Sequence, residues 1–181
     1  STISIVEERK SGFLQAALAA PVARSSIVLG TVLGGTSLAF LQMLLFAAML
    51  PLVGPTPSIR GFALLLVATA FIGIAFTSLG ISMAWKTRTT RGFHAVMNLF
   101  LVPLWALSGA FFPLSGTPTA LAWIIRLNPV SYGVDALRYA VYLPESPPLS
   151  LAPFWVSLGV TAAFALAMFL IAVRVVRRGA G

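Results

Sequence analysis

Nucleotide binding, metal ligation and nucleophilic catalysis each need particular residue types at particular spacings, and this 181-residue chain holds few of them. A phosphate-binding loop ends in Gly followed by Lys, because backbone N–H groups cradle the phosphates while the ammonium reaches over them. Here Lys10 follows Arg9 and Lys86 follows Trp85, so the chain carries no such loop. One His and no Cys cannot build the usual Cys/His sets that hold transition metals. A Ser-His-Asp relay would have to bring His94 to Asp135, and no G-x-S-x-G turn is present to carry a nucleophilic serine. Proton- or ion-coupled transport leaves an ionisable side chain within a membrane span; His94 comes nearest, at the edge of an apolar run. Gln42 and Asn98 place side-chain amides inside apolar runs and are candidates for a substrate path.

The elements that position these residues follow from hydropathy. The chain is 59% hydrophobic and 9% charged, with mean hydropathy +0.97, whereas a soluble domain is about 25% charged. Four uncharged runs, 26–53, 61–85, 93–112 and 149–173, are each long enough to cross a hydrocarbon core of ~30 Å as helix. None shows the polar face that a helix of a soluble protein needs. The expected fold is therefore all-α, a polytopic membrane protein with four transmembrane helices. With the first residues in the cytoplasm, nine Lys and Arg lie inside and only Arg60, Arg126 and Arg138 lie outside. The positive-inside rule selects that orientation, with both ends and the tail 174–181 cytoplasmic. The net charge of +8 is then mostly a topology signal, not one for nucleic acid. The same topology puts His94 and Asp135 on opposite sides of the membrane.

The segment 119–143 is apolar enough to suggest a fifth span. Its nine Leu, Ile and Val residues favour insertion by roughly 3–5 kcal/mol at most. Arg126, Asp135 and Arg138 oppose it at about 2.5–3.5 kcal/mol each near the bilayer centre. Asn128-Pro129 also interrupts any continuous helix. Two short helices, 118–127 and 130–143, are expected instead, dipping into the outer leaflet or lying on it. Ahead of the first span, apolar residues recur at helical spacing from Ile3 to Leu18, with Glu7, Glu8, Arg9, Lys10 and Gln15 between them. This reads as an amphipathic helix on the cytoplasmic surface, 3–20, ended by Pro21. It is either an interfacial anchor or a docking element for a cytoplasmic partner. Gly30 and Gly34 form a G-x-x-x-G step that could admit a second helix closely, and Pro103 should kink the third span.

Two stretches resemble a known family. Glu8-Arg9-x-x-Gly12-x-Leu14, followed by Leu18-x-x-Pro21-x-x-Arg24-x-x-Ile27-x-x-Gly30, is similar to the coupling-helix region of type-2 ABC exporter permeases. Ser108-Gly109-x-Phe111-Phe112-Pro113-Leu114, then Pro118, then Asn128-Pro129-x-x-Tyr132-x-x-Asp135-x-x-Arg138, resembles that family's motif around a pair of outer re-entrant helices. The likeness is greatest to bacterial drug-resistance and nodulation-factor export permeases. It implies the last four helices of a six-helix domain, so the chain looks like a fragment or truncated product lacking two spans. It further implies a permease in the bacterial cytoplasmic (inner) membrane that exports an amphiphile: a drug, a lipid or a lipid-linked saccharide. A cytoplasmic ABC ATPase would bind ATP and Mg, with no cofactor on this chain, and a second permease copy would complete a dimer. Docking to the ATPase would fall to Glu8, Arg9, Gly12, Leu14, Pro21 and Arg24. The outer motif would comprise Phe112, Pro113, Asn128, Pro129, Tyr132, Asp135 and Arg138, with Asp135 and Arg138 placed to pair one helical turn apart. Lys10 and Gln15 stand where family members often carry acids. A non-transporting membrane anchor or assembly subunit would share the surface helix but has no need of an outer helix pair.

Overall fold

The structure, a computed structural model, describes residues 24–54, 56–87, 89–110, 118–143 and 151–178. The surface helix expected at 3–20, with Glu8, Arg9, Gly12, Leu14 and Pro21, lies outside the described residues, as do Phe112 and Pro113. Among the described residues the chain is helical throughout and has no strand. Helix α1 spans Arg24–Val53 and α2 spans Ile59–Lys86. Helix α3, Thr90–Trp105, continues into a π-helical turn, Ala106–Ala110. Two short helices follow, α4 (Thr119–Leu127) and α5 (Pro129–Tyr142), and then α6 (Phe154–Arg178).

Four of these helices are long and apolar enough to cross a membrane: α1, α2, α3 with its π-turn, and α6. At 1.5 Å per residue, α1 and α2 run about 45 and 42 Å, which exceeds the hydrocarbon core and requires tilt or protrusion. Local chemistry sets their ends. Ser58 caps α2 by accepting the Gly61 N–H at 3.1 Å, and Thr89 caps α3 by accepting the Gly92 N–H at 3.1 Å. The last span starts later than the apolar run, at Phe154 after Pro153, and continues through Arg174, Arg177 and Arg178. Its terminal arginines complement the negative end of the helix dipole.

Helix α2 is the hub, packing most extensively against α6, α1 and α5 and less against α3. At the end where α1 and α3 begin, Val28, Val32, Ile81, Trp85, Phe93, Ala172 and Val176 bring all four spans into one apolar cluster. Nearer the outer end Ala68, Ala136 and Phe154 join α2, α5 and α6. Close approach of α1 and α2 rests on a reciprocal fit, with Gly35 receiving Thr77 and Gly73 receiving Thr36. A Cβ on Gly35 would lie 2.7 Å from Thr77 Cγ2, whereas nothing lies within 4 Å of a Cβ on Gly30 or Gly34. The G-x-x-x-G step is therefore not where α2 docks. The face of α1 turned to α2 carries Val28, Val32 and Thr36 at i, i+4 and i+8, and Gly34, two residues from Val32, points to roughly the opposite side.

Helix α5 of the short pair packs against α2 and α6. Gly133 of α5 sits against Ile72 of α2 and Thr161 of α6, and Gly61 of α2 sits against the Ala140 carbonyl. Helix α5 thus runs antiparallel to α2, with these contacts about 10 Å apart along α5 and about 16 Å apart along α2. Its first residues, Pro129 and Val130, line a cavity with Ala75, Phe76 and Trp105, well below the outer ends of the spans.

Candidate functional site

The C-terminal end of α3 departs from regular α-helix, and side chains hydrogen-bond to its carbonyls. Pro103 contributes no N–H, and the interruption surfaces one turn later. Leu107 adopts φ −92° and ψ 18°, and Gly109 adopts φ 75°, inside the Ala106–Ala110 turn. Carbonyls around this turn are costly to leave unsatisfied within a bilayer, and five of them accept side-chain donors. The Ser108 hydroxyl donates to the Trp105 carbonyl at 2.6 Å. The Asn128 Nδ2 donates to the carbonyls of Leu104 at 2.6 Å and Leu107 at 3.1 Å. The Arg138 Nη2 donates to those of Gly109 at 3.1 Å and Ala110 at 3.3 Å.

Asn128 sits at the tip of the helix pair, and its other end has a second task. Its Oδ1 accepts the Val130 N–H at 3.0 Å and caps α5, while Pro129, with its preset φ, occupies the first helical position. Tyr132 closes the tip from the opposite side, its hydroxyl donating to the Arg126 carbonyl at 2.9 Å. The sequence therefore needs both amide groups of one Asn here, an acceptor for its own helix and donors for its neighbour.

Asp135 and Arg138 do not pair with each other, contrary to the i,i+3 expectation. Among the described residues Asp135 is buried, 4% exposed, and faces the start of α6. Its Oδ1 accepts the Leu151 N–H at 3.0 Å; its Oδ2 accepts the Ser157 Oγ–H at 2.7 Å and the Ala152 N–H at 3.4 Å. Leu151 and Ala152 lie just ahead of α6, where the positive end of the helix dipole favours a carboxylate. Arg138, facing the other way, puts its cation on the carbonyl end of α3, where the dipole is negative. Helix spacing permits an Asp–Arg contact, but the unsatisfied helix ends on either side are better partners. One turn of α5 thus clasps the end of one span and the start of another.

Ser157 is the member of this cluster that sequence reasoning missed. A serine in the first turn of an apolar span is a weak signal, and only the fold places it against Asp135. It also returns a bond to its own helix, its carbonyl accepting the Thr161 hydroxyl at 2.8 Å. Phe154 completes the junction, its ring 5.2 Å from Tyr139 and 5.0 Å from Trp155.

The two candidate substrate-path amides are not brought together. Gln42 lines an apolar cavity of about 360 Å³ between α1, α2 and α5, with Phe46, Leu65, Thr69, Ile72 and Leu137 among its neighbours. Asn98 is exposed on α3. By helical rise Gln42 lies about 27 Å along α1 and Asn98 about 12 Å along α3, two helices that start on the same side. His94 is in the first turn of α3 with its ring against Phe93, at the opposite end of the bundle from Asp135. Arg24 opens α1, and its side chain lies outside the described residues. Among the described residues no group of His, Asp and Glu is placed to hold a metal ion.

The family described as ABC-2 type transporter matches residues 1–142. The transport permease ycf38 of Pyropia yezoensis is 32% identical over 147 residues, which is 77% of this chain and 48% of that protein. The inner membrane transport permease YadH of Escherichia coli K12 is 25% identical over 164 residues, 91% of this chain and 62% of its own length. Nodulation protein J of Rhizobium leguminosarum is 28% identical over 109 residues, 60% of this chain and 40% of that protein. The chain spans about half the length of the first of these relatives.

Proposed function

The chain belongs to the ABC-2 type transporter family, and from that premise we propose that it is the membrane permease of an ATP-driven exporter. Its cargo is an amphiphile, a drug, a lipid or a lipid-linked saccharide, leaving the cytoplasm. A separate cytoplasmic ATPase binds ATP and Mg and hydrolyses the nucleotide. Closure of that ATPase pushes the surface helix 3–20, seated through Glu8, Gly12 and Pro21, and a second permease copy completes the path. Gln42 and Asn98 contact cargo at different depths. The excess of Lys and Arg on one side supports a bacterial inner membrane location with both described termini in the cytoplasm.

The observation that carries this reading is the short helix pair packed against the spans, which we read as re-entrant. Non-helical backbone at membrane depth survives only where it is buried in protein or lines a water-filled cavity. This chain commits Ser108, Asn128 and Arg138 to sustaining it. A passive anchor gains nothing from such a structure, whereas a transporter needs an element near mid-membrane that can change its seat.

The test is reconstitution of the full permease with its ATPase in proteoliposomes, reading amphiphile-stimulated ATP hydrolysis. Gly12→Trp in the surface helix should abolish the stimulation while leaving basal hydrolysis by the ATPase intact. Retention of full stimulation would refute the docking assignment. Absence of stimulation by any amphiphile class in the unaltered complex would refute the exporter.

A further inference from the structure

Arg126 sits at the tip of the short helix pair, two residues ahead of Asn128. That tip lies beside the bodies of the spans, not beyond their ends. Pro129 and Val130 share a cavity of about 190 Å³ with Ala75 and Phe76 of α2 and with Thr161 and Phe164 of α6. By helical rise Ala75 is about 24 Å from the start of α2, and Thr161 about 10 Å from the start of α6. The other two charges of the pair are committed, Arg138 to the Gly109 and Ala110 carbonyls and Asp135 to the start of α6. Arg126 is not. Its side chain is exposed, with Cζ 6.0 Å from the centre of the Trp123 ring, and no acceptor among the described residues bonds its guanidinium. Asp135 is the one acid among those residues. An arginine at membrane depth is costly, and where proteins keep one it faces a counter-charge, a water-filled cavity or a substrate path.

The surroundings of this cation are apolar. Helix α4 turns Trp123, Ile124 and Leu127 outward, while Ile125 on its other side is buried and meets the turn at Gly109. The Tyr132 hydroxyl holds the Arg126 carbonyl, which fixes the backbone from which the guanidinium projects. One uncovered face thus joins a cation lacking a counter-charge to three large apolar side chains. An anionic group on a hydrocarbon chain complements both parts. We propose that this face binds the headgroup end of the cargo and that the cargo is an anionic amphiphile, its phosphate or carboxylate on Arg126 and its chain along Trp123, Ile124 and Leu127. The planar guanidinium offers paired N–H donors that match two oxygens of either group. A cationic amphiphile meets only repulsion here, so a lipid or lipid-linked saccharide bearing a phosphate fits and a cationic drug does not. Calling the ligand cargo rests on the exporter reading; the binding face does not.

The full permease–ATPase complex is placed in phosphatidylcholine nanodiscs and titrated with two lipids of identical chains, phosphatidic acid and phosphatidylcholine, each with a fluorophore at one chain end. Energy transfer from the protein's tryptophans reports binding. Arg126→Gln leaves the Tyr132 bond intact, because that bond goes to the backbone. It should weaken phosphatidic acid binding about 10- to 100-fold, the change expected from losing a hydrogen bond to a charged group, and leave phosphatidylcholine binding unchanged. Arg126→Lys keeps the charge without the fork and should recover part of the loss. Equal weakening of both lipids would make Arg126 structural and overturn the proposal. No change for either, as for an arginine that reaches only the bulk headgroup layer, would overturn it too. Inorganic phosphate should not displace the lipid; displacement would reveal a free-anion site and sink the chain contacts. ATP hydrolysis by the same complex separates the two readings. Arg126-dependent binding of phosphatidic acid, with no stimulation by any amphiphile, upholds the face and refutes the exporter. Stimulation by phosphatidic acid that survives Arg126→Gln in full overturns the face and leaves the exporter standing.

Discussion

Replacing Asp135 by Ala strips the acceptor from two backbone N–H groups and one hydroxyl at the head of α6. At 4% exposure the site admits no water to take over those bonds. Hydrogen bonds to a charged group contribute about 1.5–3 kcal/mol each. The contacts at 2.7 and 3.0 Å are strong and the one at 3.4 Å is marginal, so the gross loss is roughly 3–6 kcal/mol. Removing the carboxylate also removes its desolvation penalty, which offsets part of this and leaves a net loss of about 2–4 kcal/mol. Asp135→Asn should cost less, about 1–2 kcal/mol, since one oxygen remains for Leu151 and Ser157 can reverse its role and accept. The assay is detergent-induced unfolding in mixed micelles, followed by the fluorescence of Trp155 beside Phe154. A double-mutant cycle with Ser157→Ala isolates the pair. Polar contacts between membrane helices average about 0.6 kcal/mol in such cycles, and a buried charged contact should exceed about 1 kcal/mol. A loss below about 1 kcal/mol for Asp135→Ala, or strict additivity with Ser157→Ala, would refute the capping argument.

Two further outcomes are expected. Gly35→Ala should destabilise the α1–α2 contact by about 1–3 kcal/mol, because the new methyl meets Thr77. Gly30→Ala, with nothing within 4 Å, should be neutral or slightly stabilising through helix propensity; equal effects in thermal unfolding would show that the reciprocal fit is wrong. Tyr132→Phe removes the hydroxyl that holds the Arg126 carbonyl and should cost about 1 kcal/mol. It should also raise hydrogen exchange at the tip around Asn128 and leave the inner cluster at Trp85 and Phe93 unaffected.

The four spans were legible in the sequence because membrane insertion responds to local hydrophobicity and flanking charge, both readable along one dimension. The refusal of 119–143 to span was legible for the same reason, since Arg126, Asp135, Arg138 and Asn128-Pro129 carry their costs wherever the segment sits. The residues of the outer motif could be named in advance, but their partners could not. An i,i+3 spacing made Asp135 and Arg138 plausible mates, yet α5 turns each to a different neighbour because helix ends leave orphan groups that a bilayer cannot hydrate. The close approach of α1 and α2 shifted in the same way from Gly30 and Gly34 to Gly35 and Gly73. In hydrocarbon no hydrophobic force presses one apolar helix against another. Lateral arrangement therefore falls to small residues and hydrogen bonds whose partners lie far along the chain. The sequence alone determined which segments are long and apolar enough to cross and which amides and charges they carry; only the tertiary structure decided which carbonyls and N–H groups those side chains meet, at the C-terminal end of α3 and ahead of α6.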